Sequence, residues 1–287
     1  MMALNRSDWM HALLDRGKFT RTEAIAVAIA SAAFALIFCY PLVAHFFTPG
    51  VFNDWDFFLA PQWAAYFTID WYHQLPLWNP FECGGIPMLG DPDSHFLTPW
   101  FLLTMLFRPQ VGLHLEILIH SALAWSGGYV LARVLQMRRI SAICTGTAFA
   151  GSSWFFLRAS EGHFHLIALV YLPWIIVAAL IGSERGQLRY AVACGALIAL
   201  SFFEGGPYPA LYEGLTLALV MVGRAAAQLS VRPLIALALA GVFAAGFGAV
   251  KYAPAIQVLA AHPRPTDEGW SNSIPALRQA LLSPRSK

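Results

Sequence analysis

The chain has 287 residues, 58% of them hydrophobic and 12% charged, with a mean hydropathy of +0.57. A soluble domain carries about 25% charged residues, so roughly half of the usual solvated surface is missing, which excludes an ordinary soluble enzyme and a disordered chain. The formal charge of +2, from 18 basic and 16 acidic residues, is too small to imply a nucleic-acid partner.

What remains is an all-α fold class, a polytopic transmembrane helix bundle whose surface faces the lipid bilayer. Residues 1–23 read as a cytoplasmic segment, with Trp9, Met10, Leu13 and Leu14 alternating with charges as in an interfacial or a solvated leader helix. The first apolar run is Ala24 to Phe47. No small-residue cleavage site follows it, so it reads as a retained span rather than a secretory signal. Further runs follow at Val111–Met137, Ser141–Leu157, Leu166–Gly182, Leu188–Phe203, Pro209–Val222 and Leu234–Tyr252, giving about seven spans within a transmembrane domain 24–252. Residues 253–287 form an external C-terminal segment.

Basic residues orient the bundle. With a cytoplasmic N-terminus, eleven fall inside: Arg6, Arg16, Lys18, Arg21, Arg133, Arg138, Arg139, Arg185, Arg189, Arg224 and Arg232. Seven fall outside: Arg108, Arg158, Lys251, Arg264, Arg278, Arg285 and Lys287. The positive-inside bias therefore places the N-terminus in the cytoplasm and the C-terminus outside.

The acids are distributed the other way. Six of them, Asp54, Asp56, Asp70, Glu82, Asp91 and Asp93, lie in one external loop, 48–110, between the first two spans. The loop also holds Trp55, Phe57, Phe58, Trp63, Tyr66, Phe67, Trp71, Tyr72, Trp78 and Phe81, which is too aromatic for a solvated linker. Such a density belongs at the membrane interface. The loop is expected to fold into short helices lying on the outer leaflet, broken at Pro61, Pro76, Pro80 and Pro87, with Trp100–Phe107 dipping into the interface.

Several groups there could carry chemistry. A carboxylate at a low-dielectric boundary has a raised proton affinity and can act as a general base, which suits Asp54 or Asp56; both could equally mark the polar edge of a helix. Asp91, Asp93 and His95 alternate in a way that could gather a divalent cation, Mg²⁺ or Mn²⁺, or could simply build an Asp-Pro turn around Pro92. His163 and His165, beside Glu161, fall at the outer mouth between the third and fourth spans, where they could bind metal, phosphate or a hydroxyl, or act as plain hydrogen-bonding groups. Glu204 ends the fifth span on the same side, before the tight turn of Gly205, Gly206 and Pro207. Glu116 and Glu213 fall within spans, where acids are a functional pointer, but near soft boundaries. Arg158 and Lys251 end spans on the outside, placed to neutralise a lipid phosphate or to snorkel. Cys39, Cys144 and Cys194 lie in apolar runs and Cys83 in a polar loop; no metal or disulfide spacing links them.

Asp54 with Pro61, the segment Leu75–Pro80, Gly84–Pro87, and Asp91–Ser94 with Pro99 together resemble the first external loop of YfhO-like bacterial membrane proteins of the GT-C glycosyltransferase class. The stretches around Gly162–His163 and Gly205–Pro209 are similar to later stations of that family, with Tyr208 where a glutamine is common. The resemblance runs from Asn53 to Pro263, the N-terminal part of such a protein. It implies an inverting transfer of sugar from a polyprenyl-phosphate donor to a cell-envelope glycan, lipid or protein, outside the bacterial cytoplasmic membrane. Asp54 would be the base and Asp91 would position a substrate or hold a divalent ion. A different class of reading is a non-catalytic accessory subunit that keeps a truncated GT-C-like fold within a larger membrane complex.

Overall fold

A computed structural model describes residues 20–48, 54–82 and 84–261. The leader residues 5–18, Asn53, Cys83 and the acids and bases beyond Ala261 lie outside the described residues. Among the described residues the architecture is all-α, with seven helical stretches long and apolar enough to cross a membrane. Helix α1 is Arg21–Phe38, followed by the short α2, Tyr40–Ala44. The external region holds α3, Trp55–Asp70, and a two-stranded hairpin of β1, Trp78–Asn79, with β2, Ile86–Pro87. The remaining spans are α4 (Phe101–Val134), α5 and α6 (Arg139–Ala150 and Ser153–Glu161), α7 and α8 (Phe164–Ile167 and Leu172–Arg185), α9 (Leu188–Gly205), α10 (Pro207–Gln228) and α11 (Arg232–Ala261).

Lipid-facing and inward-facing chemistry separate cleanly. Ile29, Ile37, Leu219 and Val242 are exposed on the outer faces of their helices, whereas Glu116, Glu204, Glu213 and Lys251 within spans are buried. This inverts the soluble pattern: ionisable groups in hydrocarbon persist only where protein surrounds them. Close packing relies on small residues. A side chain on Gly128 would meet Gly146 across the α4–α5 contact, and one on Gly195 of α9 would meet the backbone of Ala240 and Ala244 on α11. With no hydrophobic driving force between helices in lipid, such close approach supplies the dispersion contacts that hold them together.

At one end of the bundle α1 begins with Thr20, whose hydroxyl accepts the Glu23 N–H, as a helix-starting threonine should. The Glu23 side chain then turns inward. It accepts from Tyr129 Oη at 2.9 Å and Arg133 Nε at 2.8 Å on α4, and from Arg139 on α5 at 3.2 Å. One carboxylate thus ties three helices. Hydrogen bonds to charged groups contribute about 1.5–3 kcal/mol. Glu23→Gln is therefore expected to lose about 2–3 kcal/mol, read by thermal unfolding in detergent; an unchanged transition would show the clamp to be idle. Arg224 pairs with Glu184 at the same end, from the ends of α10 and α8.

These pairs gather Arg133, Arg139 and Arg224 at one end, while α3, the end of α6 and the end of α9 occupy the other. Single cysteines in a cysteine-free background, labelled with an impermeant reagent on intact cells, test the orientation. Labelling is expected at positions 91 and 163 and not at 138 or 185; the reverse would turn the bundle over.

Two expectations for the external loop change, at Pro61 and around Pro80 and Pro87. Pro61 does not break a helix: it sits inside α3, where it removes only the bond to the Phe57 carbonyl while Trp55, Leu59, Gln62, Ala64 and Ala65 bury the inner face. The segment around Pro80 and Pro87 is a hairpin rather than helices, because Gly85, at φ +114°, brings its backbone under the Trp78 ring. Phe101–Phe107 is helical but folds back: Arg108 is non-helical at φ 68°, and Gly112 packs against the backbone of Thr104. The first span is also shorter than expected, ending at Phe38, and the last longer, continuing through Pro254 to Ala261.

Candidate functional site

The end of the bundle opposite the Glu23 cluster holds two adjoining polar groups. The first is open to solvent. Asp54 stands immediately before α3 and is fixed by backbone contacts rather than by its own helix. Its N–H donates to the Glu161 carbonyl at 3.0 Å, and Trp55 Nε1 donates to the Ser160 carbonyl at 3.1 Å. This docking needs Gly162, which ends α6 at φ +84° with its Cα against the Asp54–Trp55 peptide, where a side chain would collide. The next residue, His163, therefore faces Asp54, and its Nε2 lies 2.6 Å from Asp54 Oδ2.

Behind it, Arg158 Nη1 lies 3.0 Å from His163 Nδ1 and 3.0 Å from Glu161 Oε2. An arginine can only donate, so Nδ1 accepts, and the ring proton belongs on Nε2, donated to Asp54. The Asp54 side chain is 54% exposed while that of His163 is 25% exposed. One carboxylate oxygen is thus held by the imidazole while the carboxylate opens to the outer mouth. Asp56 is exposed in the first turn of α3. His165 stacks its ring 4.8 Å from Phe58 and 5.7 Å from the His163 ring, so the two histidines are neighbours without sharing a ligand.

The second group lies beneath the loop that follows the hairpin. Asp91 Oδ1 accepts the Asp93 N–H at 3.0 Å, and its carbonyl accepts from Ser94 Oγ at 2.9 Å. This is Asp-turn chemistry around Pro92. The alternation therefore does not gather Asp91, Asp93 and His95 around an ion, because His95 turns inward, buried, with Nδ1 3.5 Å from Glu116 Oε1. Burial, followed by the nearby Lys251 charge, pushes the His95 pKa down to about 3, so this ring is neutral.

Lys251 also departs from its expected place at headgroup depth. It is fully buried on α11, and Nζ donates to the carbonyls of Ser94, Pro92 and Phe203 at 2.7, 2.8 and 3.0 Å. Those three bonds use every ammonium proton, leaving none for a lipid phosphate. Arg158 has 41% of its side chain exposed and pairs with Glu161 at 3.0 Å.

Under this loop, Glu116 and His120 on α4 and Glu204 on α9 bring their ligand atoms within 4.8 Å of one another. His120 Nε2 lies 2.9 Å from Glu204 Oε2, and its Nδ1 lies 2.8 Å from the Glu116 carbonyl. Tyr171 donates to Glu204, and Trp100 Nε1 donates to Tyr171 Oη at 2.7 Å. The group could hold a metal ion. One contact connects it with the first group, Gly205 against the His165 carbonyl, while Gly206, at φ +67°, lies against Pro92 of the loop above.

Of the residues singled out from the sequence, Asp54, His163, Arg158 and Glu161 meet at the mouth, and Glu204 and His95 meet beneath it. Glu116 was visible as an intramembrane acid; His120, Tyr171 and Trp100 were not singled out. The available signal was the spacing Glu116–His120, four residues apart and therefore on one helix face. Neither a protein-family model, nor a curated protein, nor a solved structure matches the chain.

Proposed function

We propose that the chain is a membrane glycosyltransferase of the GT-C class, or its catalytic half, which moves a sugar from a polyprenyl-phosphate donor to a cell-envelope acceptor. In this reading it resides in the bacterial cytoplasmic membrane with its N-terminus inside, alone or with other membrane subunits. The observation that carries it is the Asp54–His163 contact: an outward-facing carboxylate with one oxygen held by an imidazole at 2.6 Å. The other oxygen takes the proton of the acceptor hydroxyl. The acceptor oxygen attacks the anomeric carbon from the face opposite the phosphate, and the bond to the phosphate oxygen breaks with inversion.

Polyprenyl phosphate is a good leaving group, so a base, alignment and charge neutralisation carry the step. Arg158 supplies positive charge at the mouth, and the Asp91 turn borders the acceptor. Exposed Phe57, Trp71, Tyr72 and Trp78 suit a site that meets its lipid donor at the interface.

The test is transfer of label from a radiolabelled polyprenyl phosphohexose by the purified protein in lipid nanodiscs. Release of polyprenyl phosphate that requires Asp54 supports the reading. Absence of both transfer and donor binding would favour the accessory subunit instead.

A further inference from the structure

Buried carboxylates that share a site repel, and something positive must lie between them. Glu116 and Glu204 are 6% and 1% exposed, and His120, 1% exposed, lies between them in the same group. The His120 geometry is the informative part. Its Nδ1 sits 2.8 Å from a backbone carbonyl, which can only accept, so the proton belongs on Nδ1. Nε2 then presents a lone pair toward Glu204 Oε2 at 2.9 Å, with Tyr171 Oη 3.2 Å from the same nitrogen but donating to the other Glu204 oxygen; the Nε2–Oε2 contact is acceptor facing acceptor unless a second proton or a cation joins them.

Fixing one imidazole nitrogen on a carbonyl while the other faces carboxylates is how metal-binding histidines are oriented. The carboxylate is oriented as well, since Tyr171 donates to Glu204 and Trp100 donates to Tyr171. A further imidazole borders the group: His95, 8% exposed, lies against Glu116 with Nδ1 3.5 Å from Oε1.

We propose that Glu116, His120 and Glu204 bind one first-row transition-metal dication, between Mn²⁺ and Zn²⁺ in the series, beneath the Asp91–Thr98 loop. Mixed imidazole and carboxylate donors suit those ions. Mg²⁺ is disfavoured because it keeps several waters and this group is almost fully enclosed. The site does not depend on the transferase reading, and its ion could fix the loop above α4 and α9 whatever reaction the mouth performs.

The experiment uses the full chain in detergent, purified without chelator for elemental analysis, then stripped and titrated with Co²⁺. About one transition-metal ion per chain is expected, together with visible Co²⁺ absorption bands that Zn²⁺ abolishes and millimolar Mg²⁺ does not. His120→Gln and Glu204→Gln should weaken Co²⁺ at least tenfold, and Tyr171→Phe by about 10–100-fold as an outer-shell change. Asp54→Asn should bind Co²⁺ normally, so loss of transfer and loss of metal remain distinguishable. Absence of Co²⁺ bands in the wild-type chain would mean a protonated ion pair only and would overturn the proposal, as would equal competition by Mg²⁺. Should His120→Gln fail to fold, the Tyr171→Phe titration decides: unchanged affinity there counts against the site.

Discussion

Turnover of sugar transfer by Asp54→Asn is expected to fall about 10²–10⁴-fold, the range that general acid–base catalysis supplies. Asparagine keeps the size of the side chain and an oxygen that accepts from His163 Nε2, so the 2.6 Å contact survives in kind. What disappears is the group able to take the acceptor proton. Donor binding should be nearly unchanged, because no donor contact is assigned to this carboxylate. Asp56→Asn should stay near wild type, since Asp56 is exposed in the first turn of α3 and the His163 contact is made by Asp54. A dead Asp56→Asn beside an active Asp54→Asn would reverse the assignment. Full activity in both would return the accessory-subunit reading to the front. Donor affinity is best measured separately, so that a lost base and a misplaced donor give different signatures.

The bundle was legible in the sequence because membrane spans declare themselves by length and apolar content. Runs such as Leu188–Phe203 and Leu234–Tyr252 lie within α9 and α11. The external loop was less legible. Proline chemistry suggested a break at Pro61, yet an inner face packed with Trp55, Leu59 and Ala65 outweighs one missing hydrogen bond. The mouth was partly readable: Asp54 and His163 were both singled out, but their meeting depends on Gly162 admitting the Asp54–Trp55 peptide, a contact 109 residues apart in sequence for the side chains. Least visible was the buried group. His120 shares its run with Glu116, but only the fold brings Glu204, 84 residues further on, to its Nε2. Lys251 was misread for the same reason: a basic residue near a span end looks like a snorkelling group until the loop that covers it is known.

Lys251→Met is expected to produce the largest loss of stability among changes in this region, about 3 kcal/mol or more. Methionine matches the volume of the aliphatic stem but offers no donor. The carbonyls of Pro92, Ser94 and Phe203 would then be left without the ammonium, and each buried unsatisfied acceptor costs about 1–3 kcal/mol. Removing a buried charge returns part of this, because its desolvation is no longer required. The balance still favours loss, since three backbone acceptors from two separate segments cannot all find new partners inside a closed contact. The consequence should also be local. Nζ is the tie between α11, the end of α9 and the Asp91–Ser94 turn, so losing it should raise hydrogen exchange at residues 91–95 more than in α4 or α8. Thermal unfolding in detergent measures the first effect and exchange mass spectrometry the second. A stable variant with an ordered turn would mean that the Gly206–Pro92 contact and the Asp91 turn hold the loop unaided. A destabilised variant with uniform exchange would place the role of Lys251 in helix packing rather than in the loop.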